Sequence, residues 1–197
     1  VKYKDTNGTI YKIRYPLTDG DGEIVVATTR PETMLGDTAV AVNPEDKDLA
    51  KLKGKQVRLP LTDRTISIIT DDAVELDFGT GALKVTPAHD QVDFEIGERH
   101  GLEVITVIDP AGNMNHFAGK YEGLDRTTCR NTIIADLESE GFLVDSESYN
   151  HSISHCDRCD DVLEPSITKQ WYVRMEGLAK PAINAVRKGE IAIIPER

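Results

Sequence analysis

Cysteine is scarce in this 197-residue sequence, long apolar runs are missing, and basic residues are outnumbered. Three cysteines, two of them in one Cys-x-x-Cys, make no disulfide framework and suit a reducing compartment. Apolar runs extend over only a few residues, as at Val104 to Ile108, which excludes a membrane-spanning helix of the usual ~20 residues. The opening Val-Lys-Tyr-Lys-Asp-Thr lacks a basic stretch followed by an apolar one, so no signal or transit peptide is read there and the expected location is cytoplasmic. Against 34 Asp and Glu stand 23 Lys and Arg, a net charge of −11 that repels a phosphate backbone and argues against a protein that coats nucleic acid. What remains is an enzyme, a module for a small ligand, or a domain that touches nucleic acid at one end while another domain supplies the affinity.

What is present is ordinary globular material, 39% hydrophobic and 29% charged. At roughly 150 residues per domain, the length predicts one sizeable domain with an appendage. Alternation at Tyr11, Ile13 and Tyr15 has the period of a half-buried strand, and β-branched runs over 23–28, 38–42, 56–61 and 65–70 read likewise. Asn43 is placed to cap a short helix running to about Lys53. Ala82 to Thr86 is a further strand, ended by Pro87. Asp90 at a cap position, Val92 and Ile96 four apart, and Gly101 after the last turn predict a helix over 90–100. A strand is expected over 102–109, and a helix over 125–140 carries Cys129, Ile133 and Leu137 on one stripe. Beyond it the pattern predicts strands near 142–149, 162–165 and 170–175, a helix near 178–188 and a strand over 191–194. Many short strands with helices inserted in irregular order favour a mainly β, α+β fold, a β-barrel decorated by helices, over a doubly wound sheet.

Four stretches hold residues suited to chemistry. Thr28, Thr29, Arg30 and Thr33 sit where a strand opens into a loop, and hydroxyls beside a fixed cation suit a polar ligand. The same residues also suit a turn in which threonines satisfy backbone groups. In Phe78-Gly79-Thr80-Gly81 the glycines let a backbone approach a ligand closely. The third glycine of a dinucleotide fingerprint is missing, however, and a tight turn between strands is the simpler explanation. Lys84 and Thr86 share one strand face, and Asp90 and Asp93 share the first turn of the following helix. With His89 between them, a cation, a hydroxyl, an imidazole and two carboxylates converge at a strand-to-helix junction, an arrangement suited to binding an ammonium group and orienting a water. Helix capping by the two aspartates is the competing explanation. Cys156 and Cys159 have zinc-ligand spacing with His151 and His155 nearby, but there is no second Cys-x-x-Cys, so they are half of a tetrahedral site at best.

Three longer runs, T-T-R-P-E-T-M-L-G-D-T-A-V-A-V-N-P (28–44), G-T-G-A-L-K-V-T-P-A-H-D-Q-V-D-F-E-I-G (79–97) and F-A-G-K-Y-E-G-L-D-R (117–126), strongly resemble the editing domain of class I aminoacyl-tRNA synthetases. H-S-I-S-H-C-D-R-C (151–159) and K-Q-W-Y-V-R-M (169–175) extend the resemblance over essentially the whole chain. Within the valyl, isoleucyl and leucyl group, Arg30-Pro31-Glu32 and the lead-in to Pro87-Ala88-His89-Asp90 resemble the valyl branch. The H-I-G-H and K-M-S-K-S signatures of adenylate formation are absent, so no amino-acid activation is expected of these residues.

The resemblance implies a closed β-barrel core with helices packed around it. It implies an editing domain over residues 1–150 and a return segment over 151–197 that leads back to a synthetic core. The implied activity is hydrolysis of the ester of threonine mischarged on valine tRNA. Valine and threonine are nearly isosteric, and synthetases of this kind are known to reject the added hydroxyl only about a hundredfold in a hydrophobic pocket. A second site that hydrogen-bonds the hydroxyl supplies the rest. Carried over by position, Asp93 is similar to the acid that binds the substrate's α-ammonium. Asp90, Lys84 and Thr86 resemble the set that reads the threonine hydroxyl and orients the attacking water. Arg30, Thr33, Thr28 and Thr29 resemble the wall that holds the terminal adenosine and ester carbonyl, with His89 behind it. Phe78, with Gly79, Thr80 and Gly81, resembles the contact with the single-stranded CCA end. No cofactor is implied for editing, and a structural zinc is the metal that Cys156 and Cys159 invite. The implied partners are the 3′ CCA end of valine tRNA and the rest of a synthetase chain, with no DNA, no membrane and a monomeric state. Three alternatives stand beside this reading: a non-catalytic module that positions the CCA end, an editing domain of the leucyl or isoleucyl type, and a zinc-dependent hydrolase centred on the cysteines.

Overall fold

The computed structural model describes residues 1–20, 22–76 and 79–194, and the chain divides into two units, Val1–Ile167 and Thr168–Arg197. Seven strands are found among the described residues, all in the first unit: β1 (Lys2–Pro16), β2 (Glu23–Thr28), β3 (Ala39–Val42), β4 (Gln56–Arg58), β5 (Thr65–Thr70), β6 (Ala82–Val85) and β7 (Leu143–His155). They form two sheets, ordered β2-β1-β7 and β4-β5-β3-β6. In the first sheet β1 is antiparallel to both neighbours, pairing with β2 over Tyr11 to Pro16 and with β7 from Lys2 to Ile13. The second sheet is mixed, because β3 and β5 run parallel while β3–β6 and β4–β5 are antiparallel.

The burial pattern explains this arrangement. In β3, Ala-Val-Ala-Val, all four residues are fully buried, because the strand is covered on both faces. Val40 and Val42 face the main core, with Ile13, Ile24 and Val26 of the first sheet and Val57, Ile66 and Ile68 of the second. Ala39 and Ala41 face the other way, with Val85, toward Ile96 of helix α1 (Gln91–His100). Asp90 caps α1 by accepting from the amides of Val92 (2.8 Å) and Asp93 (3.1 Å), and Gly101 ends it in the left-handed region. Helix α2 (Arg126–Ser139), capped by Asp125, puts Cys129, Ile133 and Leu137 into the main core, as their spacing predicts.

The expected closed β-barrel is not formed among the described residues: the α+β chain builds two open sheets. Closure requires each strand to be paired on both sides with a consistent stagger. Here β4 and β6 are only three and four residues long, and the parallel β3–β5 pairing makes the second sheet mixed. Where β2 and the Gly79–Gly81 turn approach, the link is a side chain, Thr80 Oγ1 donating to the Val25 carbonyl at 2.5 Å. Between β1 and β4 the described residues show one isolated bridge, Leu17 to Val57.

Other elements also differ from expectation. The segment 102–109 carries one isolated bridge, Ile108 to Met114, because its backbone is committed to side chains and turns. The Val107 amide donates to His89 Nε2 (3.0 Å), and the Val107 and Thr106 carbonyls accept from the Asn115 amide and Asn115 Nδ2. The helix expected after Asn43 shrinks to a 3-10 turn, Leu49–Leu52. Of the strand expected near 162–165, a single bridge to His155 remains. In the second unit, helix α3 (Glu176–Arg187) matches the expected helix, whereas 170–175 and 191–194 have no strand partner among the described residues. No described helix is long and apolar enough to cross a membrane.

Candidate functional site

Lys84 stands on β6 on the same face as Ala82, pointing toward the core, where a lone ammonium is costly unless hydrogen-bonded. It is 7% exposed and held by hydroxyls, donating to Thr86 Oγ1 (2.6 Å) and Thr33 Oγ1 (3.0 Å). Its counter-charge is Asp37, 3.6 Å away at the end of the 3-10 turn Pro31–Gly36 and fully buried. Asp37 Oδ1 accepts from Thr86 Oγ1 at 2.6 Å and Oδ2 from the Tyr15 hydroxyl at 2.7 Å. Burial pushes the Asp37 carboxyl up against the pull of Lys84 and these hydroxyls, and the same burial holds the Tyr15 phenol well above its usual range. Asp93, in the first turn of α1, accepts the Thr86 amide at 2.8 Å. Burial lifts its carboxyl to about 6, with Lys84 and the Thr86 amide opposing the rise.

Of these side chains, Thr33, Lys84, Thr86 and Asp93 line one wall of a cleft of about 510 Å³, the size of a small-molecule site, with Asp37 and Tyr15 behind them. Thr28, Thr29, Arg30, Thr33, Lys84, Thr86, His89, Asp90 and Asp93 all border it, so the structure brings together the residues singled out around 28–33 and 84–93. Their local roles differ. The Thr28 hydroxyl accepts the Arg30 amide, and the Thr33 hydroxyl donates to the Arg30 carbonyl, each at 3.0 Å. Arg30 is fixed by the His89 carbonyl (2.9 Å) and by an ion pair with Glu164, which also meets Arg126 at 3.3 Å. Beneath it Glu32, fully buried, receives both arms of Arg130 at 2.6 and 2.8 Å. His89 accepts the Val107 amide on Nε2, so its hydrogen sits on Nδ1 and the ring is neutral. Burial, with Arg30 and Lys84 nearby, takes its imidazole down to about 4.

Gly79 and Gly81 adopt the left-handed conformation, at φ 62° and 73°, that their turn requires, and Gly79 borders the cleft. Phe78 lies outside the described residues. Cys156 and Cys159 sit in a turn closed by Asp160 N to the Cys156 carbonyl (2.9 Å), with His155 Nδ1 on the Asp160 carbonyl (2.8 Å). No group of three or more His, Cys, Asp or Glu among the described residues is placed to hold a metal, and Cys156 and Cys159 are two of the four donors a tetrahedral zinc site takes. Sequence reasoning overlooked Asp37, Tyr15, Arg130 and Glu164. Asp37 carried a signal, a carboxylate two positions before an all-apolar strand; the others act through partners 22 to 134 residues away that no local pattern links.

The family model of the leucyl-tRNA synthetase editing domain matches residues 50–157, more than half of the chain. Among curated relatives, the valine--tRNA ligases of Symbiobacterium thermophilum, Desulfotalea psychrophila and Thermotoga maritima are 57%, 54% and 52% identical over 197, 196 and 197 residues. The chain is covered completely in each case but spans only 22–23% of these relatives' length. Among solved structures, the Agrobacterium radiobacter K84 agnB2 LeuRS-tRNA-LeuAMS ternary complex superposes with a TM-score of 0.57 at 21% identity, over 81% of this chain and 24% of that one. GlLeuRS-CP1 does so with a TM-score of 0.56 at 15% identity, over 72% of this chain and 99% of that one. At such identities the two superpositions speak for the fold alone. By the family model, the chain belongs to the editing-domain family of the aminoacyl-tRNA synthetases, and in sequence it is similar throughout to a segment of the valine--tRNA ligases.

Proposed function

We propose that this cleft hydrolyses the ester joining threonine to the 3′ end of valine tRNA. The observation that carries the reading is the buried Lys84, Thr86 and Asp93 group on the cleft wall, a polar recognition surface set into an apolar core. Every aminoacyl ester presents an α-ammonium, and the Asp93 carboxylate, fixed by the Thr86 amide, is its charge-assisted acceptor. Threonine differs from valine by a hydroxyl, which Thr86 and Lys84 pair and which a methyl leaves unpaired. Asp90 caps α1 through Oδ1 alone, leaving Oδ2 to hold a water against the ester carbonyl. Arg30, braced by Glu164 and the His89 carbonyl, faces the ribose and terminal phosphate. Gly79 to Gly81 and Phe78 receive the CCA end. Cytoplasmic location and the tRNA and synthetase partners belong to the same proposal. A zinc at Cys156 and Cys159 requires further ligands from outside these residues.

The test is deacylation of threonyl-tRNA for valine by the chain and by Asp93→Ala. The expected result is turnover by the parent chain and a loss of at least a hundredfold in the variant with its circular dichroism unchanged. Full activity in Asp93→Ala removes the ammonium assignment, and CCA binding without turnover in the parent supports a positioning module instead.

A further inference from the structure

Two hydroxyls on the cleft wall, those of Thr86 and Thr33, have their hydrogens committed to protein acceptors. A hydroxyl has one hydrogen to donate and two lone pairs. Thr86 donates its hydrogen to Asp37 Oδ1 (2.6 Å) and accepts one from Lys84 (2.6 Å), and Thr33 donates to the Arg30 carbonyl and accepts from Lys84, both at 3.0 Å. Asp37 is itself fixed by the Tyr15 hydroxyl on its other oxygen, and it lies fully buried at the back of the wall without bordering the cleft. Toward a ligand, then, Thr86 has a lone pair and no hydrogen to offer.

We propose that Asp37 is a positioning residue that makes Thr86 a hydrogen-bond acceptor toward the cleft, so that the site selects an amino-acid side chain carrying a hydroxyl hydrogen over an isosteric methyl. This deepens the deacylase reading and rests on it for the identity of the ligand. Without Asp37 the Thr86 hydroxyl turns freely, and its lone pair is no longer held toward the cleft. Neutralising Lys84 is a separate effect of the same carboxylate, and it acts on any ligand alike. Two variants separate the effects. Asp37→Asn removes the charge but keeps an oxygen for Thr86, whereas Asp37→Leu, close in shape, removes both.

The probes are 3′-deoxyadenosines carrying threonine or valine through a stable 3′-amide, with binding measured by calorimetry. The parent chain is expected to prefer the threonyl probe. Asp37→Asn keeps that preference within about threefold, and Asp37→Leu loses about tenfold of it, threonyl binding falling about tenfold further than valyl binding. Tyr15→Phe, which removes the other hydrogen bond to the same carboxylate, leaves the preference intact. No preference in the parent, an undiminished preference in Asp37→Leu, or an equal loss for both probes overturns the proposal. Should Asp37→Leu not fold, the Thr86 hydroxyl proton in the parent decides: a resolved, slowly exchanging proton in the nuclear magnetic resonance spectrum is expected, and fast exchange with water overturns. Threonine release from tRNA by the parent, measured alongside, tests the deacylase reading separately. Turnover with the preference kept in Asp37→Leu refutes only the Asp37 role, and no turnover with the preference lost refutes only the hydrolysis.

Discussion

His89 stands in the turn between β6 and α1 and Asp93 in the first turn of α1, and burial shifts them in opposite directions with different consequences for pH. Asp93 must be ionised to hold an ammonium, and its carboxyl sits at about 6. Threonyl-ester kcat/KM is therefore expected to fall as pH drops below about 6, approaching tenfold per unit, and a flat profile down to pH 5 contradicts the assignment. Its stability effect has the other sign: a carboxyl raised above its unfolded value of about 3.9 contributes stability below that value, lost as pH rises through about 6. His89 is lowered from about 6.5 to about 4, so its contribution is present above about 6.5 and disappears as pH falls toward 4, where protonation breaks the bond from the Val107 amide. Urea denaturation at pH 7 and pH 4.5 is expected to show a larger acid-induced loss in the parent than in His89→Gln. Equal losses contradict the structural role of the ring.

Among the elements, the bond between the 3-10 turn 31–36 and α2 is the most exacting. Glu32 is fully buried, and Arg130 satisfies it with two hydrogen bonds across 98 residues of sequence. Arg130→Met leaves that carboxylate with Arg30 at 3.7 Å as its remaining cation, and is expected to cost about 3 kcal/mol in urea denaturation, against less than about 0.5 kcal/mol if the pair is incidental. Gly36 stands in the same turn because a Cβ there meets the Ile105 carbonyl at 2.7 Å, which locks the turn against the 102–109 segment. That packing was not legible in the sequence. Periodicity and caps disclosed α1, α2, β2, β5 and β6, where each residue's burial follows its neighbours three, four or two positions away. They did not disclose the first half of β1, polar and broken by Gly8, whose pairing with β7 depends on residues about 140 positions distant. Nor did they reveal that 102–109, apolar enough for a strand, finds its hydrogen-bond partners in His89 and Asn115.

For the molecule as a whole, strand number suggested a barrel, but closure depends on pairings at sheet edges that no local pattern encodes, and the edges here stay open. The site was more legible than the fold. Lys84, Thr86, Asp90 and Asp93 lie within ten residues of one another, so local geometry alone unites them, while the carboxylate behind them, Asp37, arrives from a turn 47 residues earlier than Lys84. A net charge of −11 gives the chain little hold on a tRNA body, and an affinity no tighter than about 10 µM is expected near physiological salt. Nanomolar binding by these residues alone contradicts that reading of the charge. Chemistry at the 3′ end is tested most directly by presenting threonyl-tRNA and valyl-tRNA for valine side by side to the chain at high concentration and low salt. A deacylase selective for the hydroxyl releases threonine at least tenfold faster than valine. Equal rates for the two esters, or release of neither, contradict the proposed function.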